Sequence, residues 1–238
     1  MIKRSLKIGV LSVFCSIVFF GCSDKEQTNE SGSLLQKLMN GFSDTPSKLS
    51  SVEYMKWIED AENGIKVNKT IGNFTYSALY KPYEYLALID LKKDSPTKQE
   101  VNKVINEYND YQYFTFRITA NDQNTELLKV NLHSEDDYYS RIEYFSFKMQ
   151  NDLKLIEGTD TLNCVMFHFE RIYGLAPYAT FVIGFPLTKA EEQNIKNGKK
   201  IVYNDKTIKF TDNIFGAGNV YINMKAENLN RIPKLELE

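Results

Sequence analysis

The chain has few of the residues from which catalytic and metal centres are most often assembled. It holds two histidines, three cysteines and one tryptophan in 238 residues. With so little imidazole, proton-transfer chemistry would have to rest on carboxylates. There is no excess of basic residues: the formal net charge is −2. A mildly acidic chain gains nothing from counterion release on a phosphate backbone, which excludes nucleic acid as a partner. Glycine-rich phosphate motifs are absent too. The one glycine-rich stretch, Asp212-Asn213-Ile214-Phe215-Gly216-Ala217-Gly218, lacks the lysine of a P-loop and the third glycine of a dinucleotide fingerprint. It reads as a turn that needs positive φ at Gly216 or Gly218.

No apolar run is long enough to serve as a stable membrane span. From Ile8 to Phe20 the chain is uncharged and largely apolar for 13 residues. As a helix that run covers about 20 Å, against roughly 30 Å of hydrocarbon. It follows a short basic head with Lys3, Arg4 and Lys7 and ends at Gly21-Cys22, after which the sequence turns polar. This is the layout of a cleaved export signal over residues 1–21. Cys15 leaves with it, Cys22 becomes the new terminus, and Cys164 is the one thiol that stays within the folded chain. An intramolecular disulfide is then excluded, and a domain of this size does not need one.

Val18-Phe19-Phe20-Gly21-Cys22 resembles a bacterial lipobox, and Ser23-Asp24-Lys25-Glu26 resembles the acidic signal that sends Bacteroidota lipoproteins to the cell surface. The resemblance implies that Cys22 carries diacylglycerol and that the protein sits on the outer membrane, with its periplasmic face as the alternative. The covalent lipid on Cys22 is the one prosthetic group expected; no other cofactor and no metal are implied. One acyl chain anchors only marginally, but two or three hold essentially permanently. Asp160-Thr161-Leu162 resembles the Bacteroidota acceptor motif for O-glycosylation, which implies modification at Thr161. The rest of the chain resembles Bacteroidota lipoproteins that have no assigned activity.

Residues 22–48 are rich in Ser, Asp, Glu, Asn and Thr and read as a lipidated flexible tether, with one helical turn around Leu34 to Met39. Residues 49–238 read as a single β-rich domain. Fifteen tyrosines and fifteen phenylalanines favour strands, because flat rings pack well on a pleated surface. Strands are predicted at 74–79, 113–120, 127–132, 141–150, 162–173, 180–187, 200–203, 207–210, 219–225 and 234–237, with a hairpin tip at Asn204-Asp205-Lys206. The clearest is 113–120, where Phe114, Phe116, Ile118 and Ala120 alternate with Tyr113, Thr115, Arg117 and Thr119. Two short helices are predicted. Residues 52–62 are opened by Ser50 and Glu53 in capping-box spacing, and 98–109 by Thr97 and Glu100. The fold class expected is mainly β (α+β), an antiparallel sandwich or partly closed barrel.

Candidate sites are sparse. Cys164, Met166, His168 and Glu170 would share one face of the strand at 162–173, but Cys164 and His168 stand about 13 Å apart at ~3.3 Å per residue, too far to share an ion or a proton. Glu135-Asp136-Asp137 beside His133 lacks calcium-loop spacing and reads as a hairpin tip. Tyr80, Tyr83 and Tyr85 flank Pro82 and offer rigid rings for recognition. The function expected is a non-enzymatic lipoprotein that serves as accessory subunit or protein-binding module of an envelope complex. The alternatives are a surface carbohydrate-binding lipoprotein that stacks sugars on those tyrosines and a hydrolase that works through paired carboxylates.

Overall fold

A computed structural model describes residues 47–122, 124–171, 176–199 and 201–237. Cys22, the leader, the tether up to residue 46 and the end of the strand predicted at 162–173 lie outside the described residues.

Two antiparallel sheets carry the fold. The first has five strands in the order β2-β3-β4-β8-β7, which are Lys66–Ile71, Phe74–Lys81, Tyr111–Ala120, Tyr178–Pro186 and Met166–Glu170. The second has four in the order β10-β9-β5-β6, which are Gly218–Met224, Lys206–Asp212, Leu153–Glu157 and Asp160–Asn163. Neither closes into a barrel. The architecture is α+β, with the sheets packed face to face as a sandwich. A two-residue parallel pair joins β1 (Lys48–Leu49) to β11 (Lys234–Leu235), so Lys48, expected in the tether, is paired within the fold.

Alternation decides which residues fill the sandwich. On β4 the predicted series Phe114, Phe116, Ile118 and Ala120 is buried, while Arg117 faces out. On β3 Phe74, Tyr76, Ala78 and Tyr80 do the same, opposite Ala120, Ile118, Phe116 and Phe114. From the other sheet Ile208 and Phe210 of β9 and Val220 and Ile222 of β10 close the layer. The rings interlock edge to face: Phe116 stands 5.3 Å from Phe210, and Phe145 stands 5.3 Å from Phe181. Such pairs add to the stabilisation from burial alone.

The helical content exceeds the expectation. Six α-helices are described: α1 (Ser51–Glu59), α2 (Tyr83–Leu91), α3 (Lys98–Tyr108), α4 (Glu135–Glu143), α5 (Lys189–Lys196) and α6 (Ala226–Asn230). The predicted capping boxes open α1 and α3. The strand predicted at 141–150 is instead the end of α4, a π turn over Tyr144–Lys148 and a 3₁₀ turn over Met149–Asp152. A third capping box, Ser134 with Asp137, starts this helix, so Glu135-Asp136-Asp137 is a first helical turn and not a hairpin tip. Acids there suit the positive end of the helix dipole. The strand predicted at 127–132 is a 3₁₀ turn over Leu127–Lys129. Its carbonyls are engaged by a side chain instead of a neighbouring strand: Arg141 Nη1 donates to Leu128 O at 3.1 Å and Val130 O at 2.7 Å.

Three further expectations fail, through competition from a side chain or from the other sheet. Among the described residues 201–205 are not strand: Tyr203 exchanges backbone hydrogen bonds with the side chain of Asn230 at 3.1 and 2.9 Å. Asp205 is no hairpin tip, because its carboxylate accepts from Ala226 N at 2.8 Å and caps α6. The single strand predicted at 162–173 is two strands. The chain leaves the second sheet after Asn163 and joins the first at Met166, crossing at Cys164-Val165.

Candidate functional site

Strand β3 delivers the chain to Pro82, whose φ of −58° suits the start of a helix, and α2 begins at Tyr83. Glu84 therefore falls in the first helical turn. Its carboxyl lines a cleft of about 420 Å³, a volume typical of small-ligand pockets. Facing it are Tyr54 of α1, Val101 and Ile105 of α3, Tyr203, Leu229 of α6, and the C-terminal run through Ile232 and Leu235. Apolar side chains make most of the wall.

Glu84 is half-buried, and among the described residues its carboxyl forms no ion pair and no hydrogen bond with another residue. Burial pushes its carboxyl above the usual carboxylate range. The Tyr54 and Tyr203 hydroxyls lie within its electrostatic reach. Burial, first of all, moves Tyr203 up to about 12, and Tyr54 is raised likewise. Lys234 stands exposed at the rim and forms no ion pair with Glu84.

A folded-state carboxyl held above its unfolded value favours the folded state only while protonated. Its contribution is complete in acid and is lost as pH rises through the raised value. Glu84→Gln, neutral at every pH, is therefore expected to raise Tm at pH 7, with the gain fading toward pH 4. Thermal melts across that range check it, and a variant less stable than the parent at pH 7 would contradict it.

Behind Tyr203 lies a second polar group, sealed from solvent. Lys206 is completely buried, and its ammonium stands 5.5 Å from the Tyr203 ring centroid. It donates to Glu157 Oε2 at 2.7 Å, Glu191 Oε1 at 2.9 Å and Gln112 Oε1 at 2.5 Å. Gln112 Nε2 donates in turn to Glu157 Oε2 at 3.1 Å and Glu191 Oε2 at 3.0 Å. Glu191 also closes a capping box with Thr188 at the start of α5. Among the described residues Glu157 Oε1 is buried without a hydrogen-bond partner. These two acids do face each other, but across a lysine inside the protein and not across an open cleft. They offer no room for a glycosidic bond between them.

The tyrosines expected to form a recognition surface are placed otherwise. Tyr80 and Tyr85 are only 4% and 5% exposed. Each of the three is engaged inside the protein: the Tyr80 ring stands edge to face with Tyr203 at 5.5 Å, Tyr83 donates to Tyr111 O at 2.9 Å, and Tyr85 donates to Glu59 Oε1 at 2.7 Å. Tyr80 points inward because it continues the buried series of β3, and Tyr85 because α2 packs its ring beneath the helix. As a set they are no stacking platform for sugars, though Tyr83 lines the cleft. Thr161 is exposed on the edge strand β6, where its hydroxyl is accessible. Cys164 is buried, donates to Met166 O at 3.2 Å, and is pushed up to about 11 by burial. His168 is exposed on β7, and His133 is exposed before α4.

The loop after β9 is organised by Asp212, which is buried. Its carboxylate accepts from Ile214 N and Phe215 N at 2.9 Å, from Ala217 N at 3.0 Å and from the Tyr76 hydroxyl at 2.7 Å. Both glycines take positive φ, +79° at Gly216 and +66° at Gly218. The loop wraps its own aspartate and offers no empty anion nest. Among the described residues no three His, Cys, Asp or Glu side chains are placed to hold a metal ion, and no helix is long and apolar enough to cross a membrane.

Compared with protein-family models, with curated proteins and with solved structures, the chain matches none.

Proposed function

We propose that this protein is a lipid-anchored, non-enzymatic binding module of a bacterial outer-membrane complex, which engages its partner through the Glu84 cleft. The observation that carries the reading is the contrast between two sets of polar groups. Lys206, Gln112, Glu191, Arg141 and Asp212 are consumed by the fold's own hydrogen bonds. Glu84 is not, and it lines an open, mostly apolar cleft. A half-buried acid without an internal partner is retained against stability, which is the signature of a site that serves something outside the domain. The lipid address at Val18-Phe19-Phe20-Gly21-Cys22 supplies the location.

Two measurements test this. Cys22→Ser is expected to move the protein from the envelope pellet to the soluble fraction, because two or three acyl chains would no longer hold it. A variant that sediments as the parent does would remove the anchor. Affinity purification of the wild-type lipoprotein from detergent-solubilised membranes, at native expression, is expected to recover a stoichiometric envelope protein. Recovery of the protein alone would remove the accessory role.

A further inference from the structure

We infer that the Glu84 cleft receives a primary ammonium carried on an aliphatic stem, the chemistry of a lysine side chain presented by a partner protein. The inference rests on the binding-module reading and names what that module would recognise.

The acceptors come first. Glu84 brings a carboxylate with no internal partner among the described residues, and the oxygens of Tyr54 and Tyr203 lie within its field. An ammonium has three N–H donors and no acceptor, so an unpaired carboxylate flanked by phenolic oxygens complements it, while Lys234, the one cation of the lining, stands exposed and forms no ion pair with that acid. The walls come second. Val101, Ile105, Leu229 and Ile232 give the cleft an apolar lining that a methylene stem covers while its head reaches the acid. Tyrosine rings around the acid add a further attraction, because a cation is drawn to a ring face. A neutral apolar ligand would leave Glu84 buried deeper and still unpaired, and an anion would meet it head on. The cation is the one class that relieves the acid instead of penalising it.

The pH dependence follows from the groups around the acid. Burial raises the Tyr54, Tyr83 and Tyr203 hydroxyls, which stay neutral at physiological pH, and Lys234 stands at the rim without pairing to Glu84. Glu84 is the acid of the lining, and burial holds its carboxyl above the usual carboxylate range. Cation binding should therefore weaken as pH falls through its raised value, while binding of an uncharged ligand should not.

The test uses the whole mature chain in detergent and three probes: n-hexylammonium, n-hexanol as the same stem without charge, and the blocked peptide acetyl-Gly-Lys-Gly-amide. Binding is followed by NMR titration of isoleucine and leucine methyls at pH 7.5 and pH 4.5. Hexylammonium and the peptide are expected to shift the cleft methyls at pH 7.5, with hexanol weaker by about tenfold or more. Glu84→Gln is expected to abolish that preference while melting higher than the parent, a combination that loss of folding cannot produce. Binding of hexylammonium without the peptide would overturn the protein-lysine source. Equal affinity for hexanol and hexylammonium would overturn the cation inference while leaving the cleft as a binding site. No shift with any probe would overturn the inference, and partner recovery from membranes decides the binding-module reading independently.

Discussion

Lys206→Met is expected to cost about 3–5 kcal/mol of folding stability, because it leaves two buried carboxylates without their cation. For a domain of this size that corresponds to a fall in Tm of roughly 6–20 °C. The cause is specific. In the parent one ammonium serves Glu157, Glu191 and the carbonyl oxygen of Gln112, and none of these groups has water to turn to. Methionine fills the volume but donates nothing. Removing a second charge should repair much of the damage. In Lys206→Met with Glu157→Met the orphaned oxygen of Glu157 disappears as well, and Glu191 keeps its capping bonds from Thr188 and its bond from Gln112. The double variant is therefore expected to be clearly more stable than the single one. Chemical denaturation of parent, single and double variants measures it. A single variant within about 1 kcal/mol of the parent would mean that water reaches the cluster.

Asp212→Ala is expected to cost about 3 kcal/mol or more, since four donors lose one buried acceptor together. Three are backbone N–H groups of the loop at 213–217, and the fourth is the Tyr76 hydroxyl from the opposite sheet. Asp212 thus ties the β9–β10 hairpin to the sandwich core as well as shaping its turn. Tyr76→Phe removes only one of the four bonds and should cost about 1 kcal/mol. Hydrogen exchange at the 213–217 amides separates the two variants: protection should vanish in Asp212→Ala and persist in Tyr76→Phe. Unchanged protection in Asp212→Ala would show that the turn holds itself without the carboxylate. Phe215, stacked on Phe74 at 4.3 Å and lying 5.2 Å from the Arg141 guanidinium, would be the group that does so.

Much of the framework could be read along the chain where a signal is local. The alternation at 113–120 became β4 with the expected residues inside. Ser50 with Glu53, and Thr97 with Glu100, open helices where their spacing indicated. The same pairing at Ser134 and Asp137 and at Thr188 and Glu191 opens α4 and α5. Downstream of Ser134 the aromatic run Tyr144 to Phe147 looks like strand, and only the packing of Phe145 among Phe169, Phe181 and Phe215 selects the helical alternative. Helix α2 carries no 3.6-residue stripe, because Tyr85, Leu86, Ala87 and Leu88 are buried consecutively. Strand β2, as an edge strand, buries no residue fully and shows no alternation.

The sites were less accessible. Period-two reading of β9 does put Lys206 and Asp212 on the same inward face as Ile208 and Phe210. That is a warning of buried charge, though it names no partner. Glu157 and Gln112 lie 49 and 94 residues from Lys206, and nothing local links them. Glu84 carries no sequence signal at all, because its environment is assembled from α1, α3, α6, Tyr203 and the C-terminal strand.

Taken alone, the order of residues decided what short-range forces decide: which side of β3 and β4 is apolar, where hydroxyl and carboxylate pairs start helices, and where glycine permits the β9–β10 turn. Tertiary structure decided the rest. It chose helix over strand at 141–150, sent Tyr80 and Tyr85 inward, gave Lys206 its two acids, and left Glu84 without a partner among the described residues. The physical reason is range. Backbone preferences and period act over a few residues, whereas the charge state and exposure of a side chain depend on whatever the fold brings against it from any distance along the chain.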